Sequence, residues 1–274
     1  MAKTWTNLEL ISDSESENDS HNNNINDNTI VTIKKKRTKL PQTILKTCFQ
    51  PDSNIFEIGV DEAGRGPLFG RVYAGAVILP KDSETFQHNL MKDSKKFGKS
   101  KKGQREINEA YEYIRTHAIA YATAYESEET IDNINILQAT QSAMHKAIKV
   151  VIEQLEKKYN SDLNSNNLHL LIDGNYFKPY SHYNYGQKFP TTIKFDTVEQ
   201  GDNTYSSIAA ASILAKVERD KYIDELCLDN PELSEKYGID SNKGYGSKKH
   251  RDGIDEYGIT KWHRKTFGIC SQYK

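Results

Sequence analysis

The apolar and polar positions predict a regular succession of strands and helices from about residue 50 onward, and little order before it. "NIFEIGV" (54–60) and "RVYAGAVIL" (71–79) read as two strands separated by a turn containing Gly and Pro, spaced as an antiparallel pair. A lysine-rich loop from Lys92 to Lys102 leads into a helix near Gln104–Thr116, and "HAIAYATAY" alternates as a third strand. From Ile131 to Tyr159 the period is helical, with Ile136, Ala139, Ala143, Ala147, Val150 and Val151 toward one face. "LHLLID" is a short buried-type strand stopped by Gly174, "TTIKFDTV" a fifth strand, and residues 204–228 a long helix. Strands first, then strands alternating with helices, give an α/β fold with a mixed central sheet flanked by helices.

Composition changes this picture at the N-terminus. The chain has 274 residues and a mean hydropathy of −0.76, low for a single compact core, which implies a polar segment diluting the folded part. The first thirty residues hold one basic residue, six acids and the tract "HNNNINDN", too little apolar area to offset the entropy of ordering. Residues 31–49 then carry Lys34, Lys35, Lys36, Arg37, Lys39 and Lys46 and no acid. Residues 1–49 are therefore expected to be a disordered low-complexity tail, acidic then basic, and 50–274 the folded domain. Cys48, Cys227 and Cys270 are widely spaced and match neither a zinc motif nor a disulfide framework. With no apolar signal region or membrane-length run, a soluble cytoplasmic monomer is expected.

Candidate chemistry lies where apolar runs end on carboxylates. "VDEAGRGP" places Asp61 and Glu62 at the tip of a hydrophobic strand, where α/β sheets commonly carry their sites. Their side chains start out on opposite faces, and convergence requires the strand to end at Ala63-Gly64. Asp173 closes "LHLLID" in the same way. In the long helix, Asp220 falls on the arc of Ile213 and Val217, and Asp224 lies on that arc one turn later, so helical geometry alone leaves both open. Inward carboxylates without Cys or His favour a hard cation held by oxygen, Mg²⁺ or Mn²⁺.

Seven blocks, "GVDEAGRGPLFG", "DSKK", "IDNINILQAT", "LLIDGN", "IAAASILAKVERD", "KGYGSKKH" and "HRKTF", occur here in the order and spacing of the ribonuclease HII family, which residues 55–268 resemble. The resemblance implies an RNase H-like fold with a C-terminal helical extension. It also implies two-metal hydrolysis of the RNA strand in RNA–DNA hybrids, and incision at ribonucleotides embedded in DNA, giving 5′-phosphate and 3′-hydroxyl ends. Carried over residue by residue, the metal-binding catalytic acids fall on Asp61, Glu62, Asp173 and Asp220, and the glycine-rich element on Gly64, Arg65 and Gly66. The tyrosine that senses the junction between ribo- and deoxyribonucleotide falls on Tyr245. A glycine-rich loop lets backbone reach a 2′-hydroxyl, the group that separates RNA from DNA. Lys95, Lys96, Lys243, Lys248, Lys249, Arg264 and Lys265 are candidate phosphate contacts. Two positions depart from the family pattern. Arg71 replaces a proline, expected to loosen the turn or add a backbone contact, and Gln200 replaces a lysine, removing a charge near substrate.

Two other readings remain on the residues alone, a silent hybrid-binding protein and a metal nuclease for DNA junctions. The intact acids weigh against the first and "GRG" with "KGYG" against the second. Outside the family match, Gln42, Leu45 and Phe49 of "QTILKTCF" resemble a sliding-clamp-binding peptide with Cys48 in place of its first aromatic residue. Lys34–Lys39 would also serve as a nuclear-import signal, and Ser12, Ser14 and Ser16, each with an acid three residues on, as acidophilic kinase sites.

Overall fold

The computed structural model describes residues 44–159, 165–183 and 189–273. Its frame is a five-stranded mixed sheet in the order β3-β2-β1-β4-β7. The strands are β1 (Phe56–Ala63), β2 (Val72–Ile78), β3 (Ala120–Glu126), β4 (Leu168–Asp173) and β7 (Lys194–Val198), while β5 (Ser181–His182) and β6 (Thr191–Thr192) form a small separate pair. β1 is central, antiparallel to β2 and parallel to β4. Helices α1 (Lys101–His117), α2 (Glu128–Tyr159) and α3 (Ser206–Asp229) complete the domain, with α4 (Glu232–Tyr237), α5 (Ile239–Asn242) and α6 (Lys248–Tyr257) after them.

One face of the sheet buries Ile58, Val60, Leu170 and Ile172 against Ala143, Ala147, Ile148, Val151 and Ile152 of α2. On the other face, Val77 joins Ile107 and Ile114 of α1 and Ala210, Ile213 and Leu214 of α3. α3 approaches the sheet unusually closely. A Cβ on Gly59 would lie 2.3 Å from the Ser207 carbonyl carbon, and one on Gly75 2.4 Å from the Ala211 oxygen. The small run Ala209–Ala210–Ala211, fully buried, is the helix's half of that fit. The C-terminal extension builds its own core around Phe69, Ile223, Leu233, Ile254 and Cys270. Among the described residues, no helix is long and apolar enough to cross a membrane.

The structure differs from the sequence pattern at several points. β1 ends at Ala63, as the sequence pattern requires, but its acids stay in the ladder: Asp61, Glu62 and Ala63 pair with Gly75, Ala74 and Tyr73 of β2. Only the pairing with β4 stops earlier, at Val60. The predicted fifth strand is interrupted at Ile193, which is buried and donates its N–H to the Tyr180 carbonyl at 3.0 Å. Val150 is 39% exposed, because the buried arc of α2 runs from Ala139 and Ala143 through Ala147 and Val151 to Ile148 and Ile152 and leaves Val150 at its edge.

The tail boundary also moves. Residues 44–49, assigned to the tail, lie on the domain. Lys46 N–H donates to Thr204 O at 2.8 Å and Ser206 N–H to Lys46 O at 3.0 Å. Leu45 is 8% exposed, and Phe49 packs its ring against His169 and Tyr205. Residues 1–43, with Gln42, the lysine run and the serine sites, lie outside the described residues.

The close helix–sheet contact generates a prediction. Gly75→Ala forces α3 off the sheet and should destabilise the fold by about 1–3 kcal/mol, as overpacking does. Thermal denaturation measures this, and an unchanged melting temperature would show that the contact is looser than described.

Candidate active site

Asp61, central in the sheet, points toward α3 and is buried. One of its oxygens accepts the Glu62 N–H at 2.7 Å. Glu62, the next residue along the strand, is met by Arg65 at 3.1 Å. Asp173 ends β4 and accepts the Gly201 N–H at 2.7 Å. Asp220 sits on α3, with Oδ2 paired to Lys216 one turn earlier and Oδ1 buried without any partner. Asp224, the alternative that helical geometry left open, is exposed and pairs with Lys243.

The electrostatics tie three of these acids together. Burial first, then the charges of Glu62 and Asp173, hold the Asp61 carboxyl well above the usual carboxylate range. Glu62 is also raised by burial, with Arg65 opposing the shift and Asp173 adding to it. Among the described residues, no three His, Cys, Asp or Glu side chains are gathered tightly enough to enclose an ion. The set is open, with Asp220 held by Lys216. Its donors are nonetheless all oxygen, mutually repelling and partly desolvated, and one buried oxygen lacks a partner. That chemistry fits a hard divalent cation.

Asp93, Asp202 and Asn203, beside the acids, were not singled out from sequence. Asp202 is pushed up to about 6 by burial and by the charges of Asp93 and Asp173, with Lys95 pulling the other way. Asn203 donates to both Asp93 and Asp202. Lys95 stands 4.0 Å from Asp202, and its ammonium, despite the cost of burial, is held above its ordinary value by Asp93, Asp202, Asp61 and Asp173. A groove of about 410 Å³ runs from Ser94 and Lys95 past Lys216, Asp220 and Lys221 to Asp224. Asp93 was visible within "DSKK", a block read only for its lysines. Asp202 follows a left-handed Gln200 (φ 54°) in "QGDN", where a loop acid looks like an ordinary turn residue.

The glycine-rich loop follows the acids directly. Gly64 has φ +92°, and a Cβ there would lie 2.2 Å from Arg219 Nε, so no other residue fits. Arg264, expected to contact phosphate, is fully buried beneath the loop. It donates to the carbonyls of Gly64 (2.6 Å), Arg65 (3.0 Å), Pro67 (2.9 Å) and Gly70 (2.8 Å). Burial and the neighbouring Arg219 charge push it down to about 9. Arg219, 2% exposed, donates to the carbonyls of Phe69, Arg71 and Lys243. Arg71, where the family pattern has a proline, holds its guanidinium between the rings of Tyr125 (4.2 Å) and Tyr222 (4.3 Å). Tyr245 is 52% exposed, and its Cε1 lies 3.6 Å from where a Cβ on Gly66 would stand. Of the lysines, Lys243 pairs with Asp224, Lys248 with Asp252, and Lys249 donates to Ser234 O, while Lys96 and Lys265 are exposed.

Solved structures with a similar fold include the RNase HII of the PCNA:RNase HII complex from Archaeoglobus fulgidus (TM-score 0.53, 20% identity, covering 78% of this chain and 96% of that one). Bst-RNase HIII in complex with Mn²⁺ is also similar (TM-score 0.53, 14% identity, 80% of this chain and 69% of that one). At these identities the likeness defines an RNase H-like α/β fold. Sequence comparison narrows the class. The family model for Ribonuclease HII matches residues 58–270, and the Ribonuclease HII of Parabacteroides distasonis is 45% identical over 217 residues, covering 79% of this chain and 92% of that protein. The chain belongs to the ribonuclease HII family, nucleases of the ribonuclease H type.

The raised Asp61 carboxyl predicts a measurable stability effect. Its proton is bound more tightly in the folded state, so ionising it costs stability above the raised pKa; the cost starts to shrink as pH falls through that value and is gone below the ordinary carboxylate range. In chelator, Asp61→Asn should therefore melt a few degrees above wild type at neutral pH, with the gap closing on acidification. A lower melting temperature for the variant at neutral pH would contradict this.

Proposed function

We propose that this chain cleaves the RNA strand of RNA–DNA hybrids and incises duplex DNA at single embedded ribonucleotides, leaving 5′-phosphate and 3′-hydroxyl ends. The observation that carries the reading is the direct succession of buried carboxylates, glycine loop and Tyr245 along one stretch of surface. Asp61, Glu62, Asp173 and Asp220 would hold the divalent ions, Mg²⁺ or Mn²⁺. The ions would activate the attacking water and stabilise the leaving 3′-oxygen.

The chain's own groups supply selection. In a trans peptide the carbonyl and the following N–H point opposite ways. Because Arg264 draws the Gly64 and Arg65 carbonyls inward, the N–H groups of Arg65 and Gly66 turn away from it, suited to a ribose 2′-hydroxyl. The exposed face of Tyr245 beside Gly66 would pack on the deoxyribose of the next nucleotide. Lys95 lies over the acids as a phosphate contact, and Lys243 would serve the same end after parting from Asp224. Clamp binding through Gln42, Leu45 and Phe49 would require Leu45 and Phe49 to leave their places on the domain, so it is in competition with the fold described.

Duplex DNA holding one ribonucleotide and a long RNA–DNA hybrid, each with Mg²⁺ or Mn²⁺, test the assignment. Asp61→Asn, Glu62→Gln, Asp173→Asn and Asp220→Asn should each lose orders of magnitude on both substrates while remaining folded. Tyr245→Ala should lose more on the single ribonucleotide than on the hybrid. Near-wild-type cleavage by Asp61→Asn would sink the metal-site assignment.

A further inference from the structure

Two histidines lie in the core directly behind Tyr245. His250 on α6 and His263 in "HRKTF" are both buried, their Nε2 atoms 3.1 Å apart, among the rings of Phe69 and Tyr237. Their tautomers follow from their outer partners. The Thr260 backbone N–H points at His263 Nδ1 at 2.9 Å and can only donate, so that nitrogen carries no proton and the neutral ring holds it on Nε2. At the other end, His250 Nδ1 is 3.0 Å from the Tyr245 carbonyl, which can only accept, so Nδ1 is protonated and His250 Nε2 is free to accept. The two assignments, reached independently, make one continuous chain: Thr260 N–H to His263, His263 Nε2–H to His250, His250 Nδ1–H to Tyr245 O. A further proton would set two N–H groups face to face. Burial, with the neighbouring His250, pushes His263 down to about 3, and burial lowers His250, in keeping with a pair that stays neutral.

Tyr245 needs such a hold. It lies between Gly244 (φ +84°) and Gly246, neither of which restricts the backbone, and its ring is half exposed. Its N–H donates to Asn242 O at 3.0 Å, and its carbonyl accepts from Ser247 N–H at 2.7 Å and from His250. We propose that His250 and His263 form a neutral positioning relay that fixes the Tyr245 backbone from the C-terminal segment, and so sets selectivity for the ribonucleotide–deoxyribonucleotide junction. This rests on the role given to Tyr245 above.

The test uses the full chain and both substrates, with Tyr245→Ala as reference. His250→Gln keeps a group near Nε2 but removes the donor to Tyr245, and should cost about fivefold to tenfold on the single-ribonucleotide duplex, with hybrid cleavage nearly unchanged. His250→Asn keeps a donor at the Nδ1 position and should restore selectivity. Equal losses on both substrates for His250→Gln, or identical behaviour of the Asn and Gln variants, would overturn the relay. Imidazole ¹⁵N shifts of wild type at neutral pH decide even where a variant fails to fold: Nδ1–H on His250 with Nε2–H on His263 supports it, and the reverse tautomers or a doubly protonated ring overturns it. Equal losses for Tyr245→Ala would overturn the tyrosine's junction role first, and with it the relay's purpose, which the unchanged tautomers would make plain.

Discussion

Two guanidinium groups with no carboxylate partner among the described residues lie under the loop from Gly64 to Arg71, and the shape of the site depends on them. A buried charge must be answered by hydrogen bonds. Arg264 and Arg219 together take seven carbonyl contacts from Gly64, Arg65, Pro67, Phe69, Gly70, Arg71 and Lys243. A loop rich in glycine would otherwise have many conformations. Here its carbonyls are committed inward, its N–H groups at Arg65 and Gly66 outward, and the Lys243–Tyr245 segment is drawn to the same anchor.

α3 joins this anchor to the acids. Ser212, Lys216 and Asp220 follow one another at helical spacing along the side near Asp61, while Arg219 reaches the loop. The helix can serve both because Gly59 and Gly75 let it lie against β1 and β2. Small residues in the sheet thus set the distance between the candidate acids and the loop that would read the sugar.

Much of this was legible in the sequence because it depends on local pattern: β1, β2 and β4, the long helices, and the acids at the ends of apolar runs. What was not legible depends on tertiary partners. Arg264 looks like a surface cation until its carbonyl acceptors, roughly two hundred residues away in sequence, are in view. Leu45 and Phe49 look like linker until Thr204, Tyr205 and His169 are beside them. The strand end at Ala63 that the sequence pattern requires is present, and Asp61 and Glu62 share a field there.

The most direct test of the account is turnover of Arg264→Lys on a long RNA–DNA hybrid, at a temperature where circular dichroism shows the variant folded. Lysine keeps the charge but cannot bond four carbonyls in one plane. The account predicts a loss of about a hundredfold, the scale of a small misplacement of groups around the reacting bond, with all four acids intact. Wild-type turnover by the folded variant would contradict it.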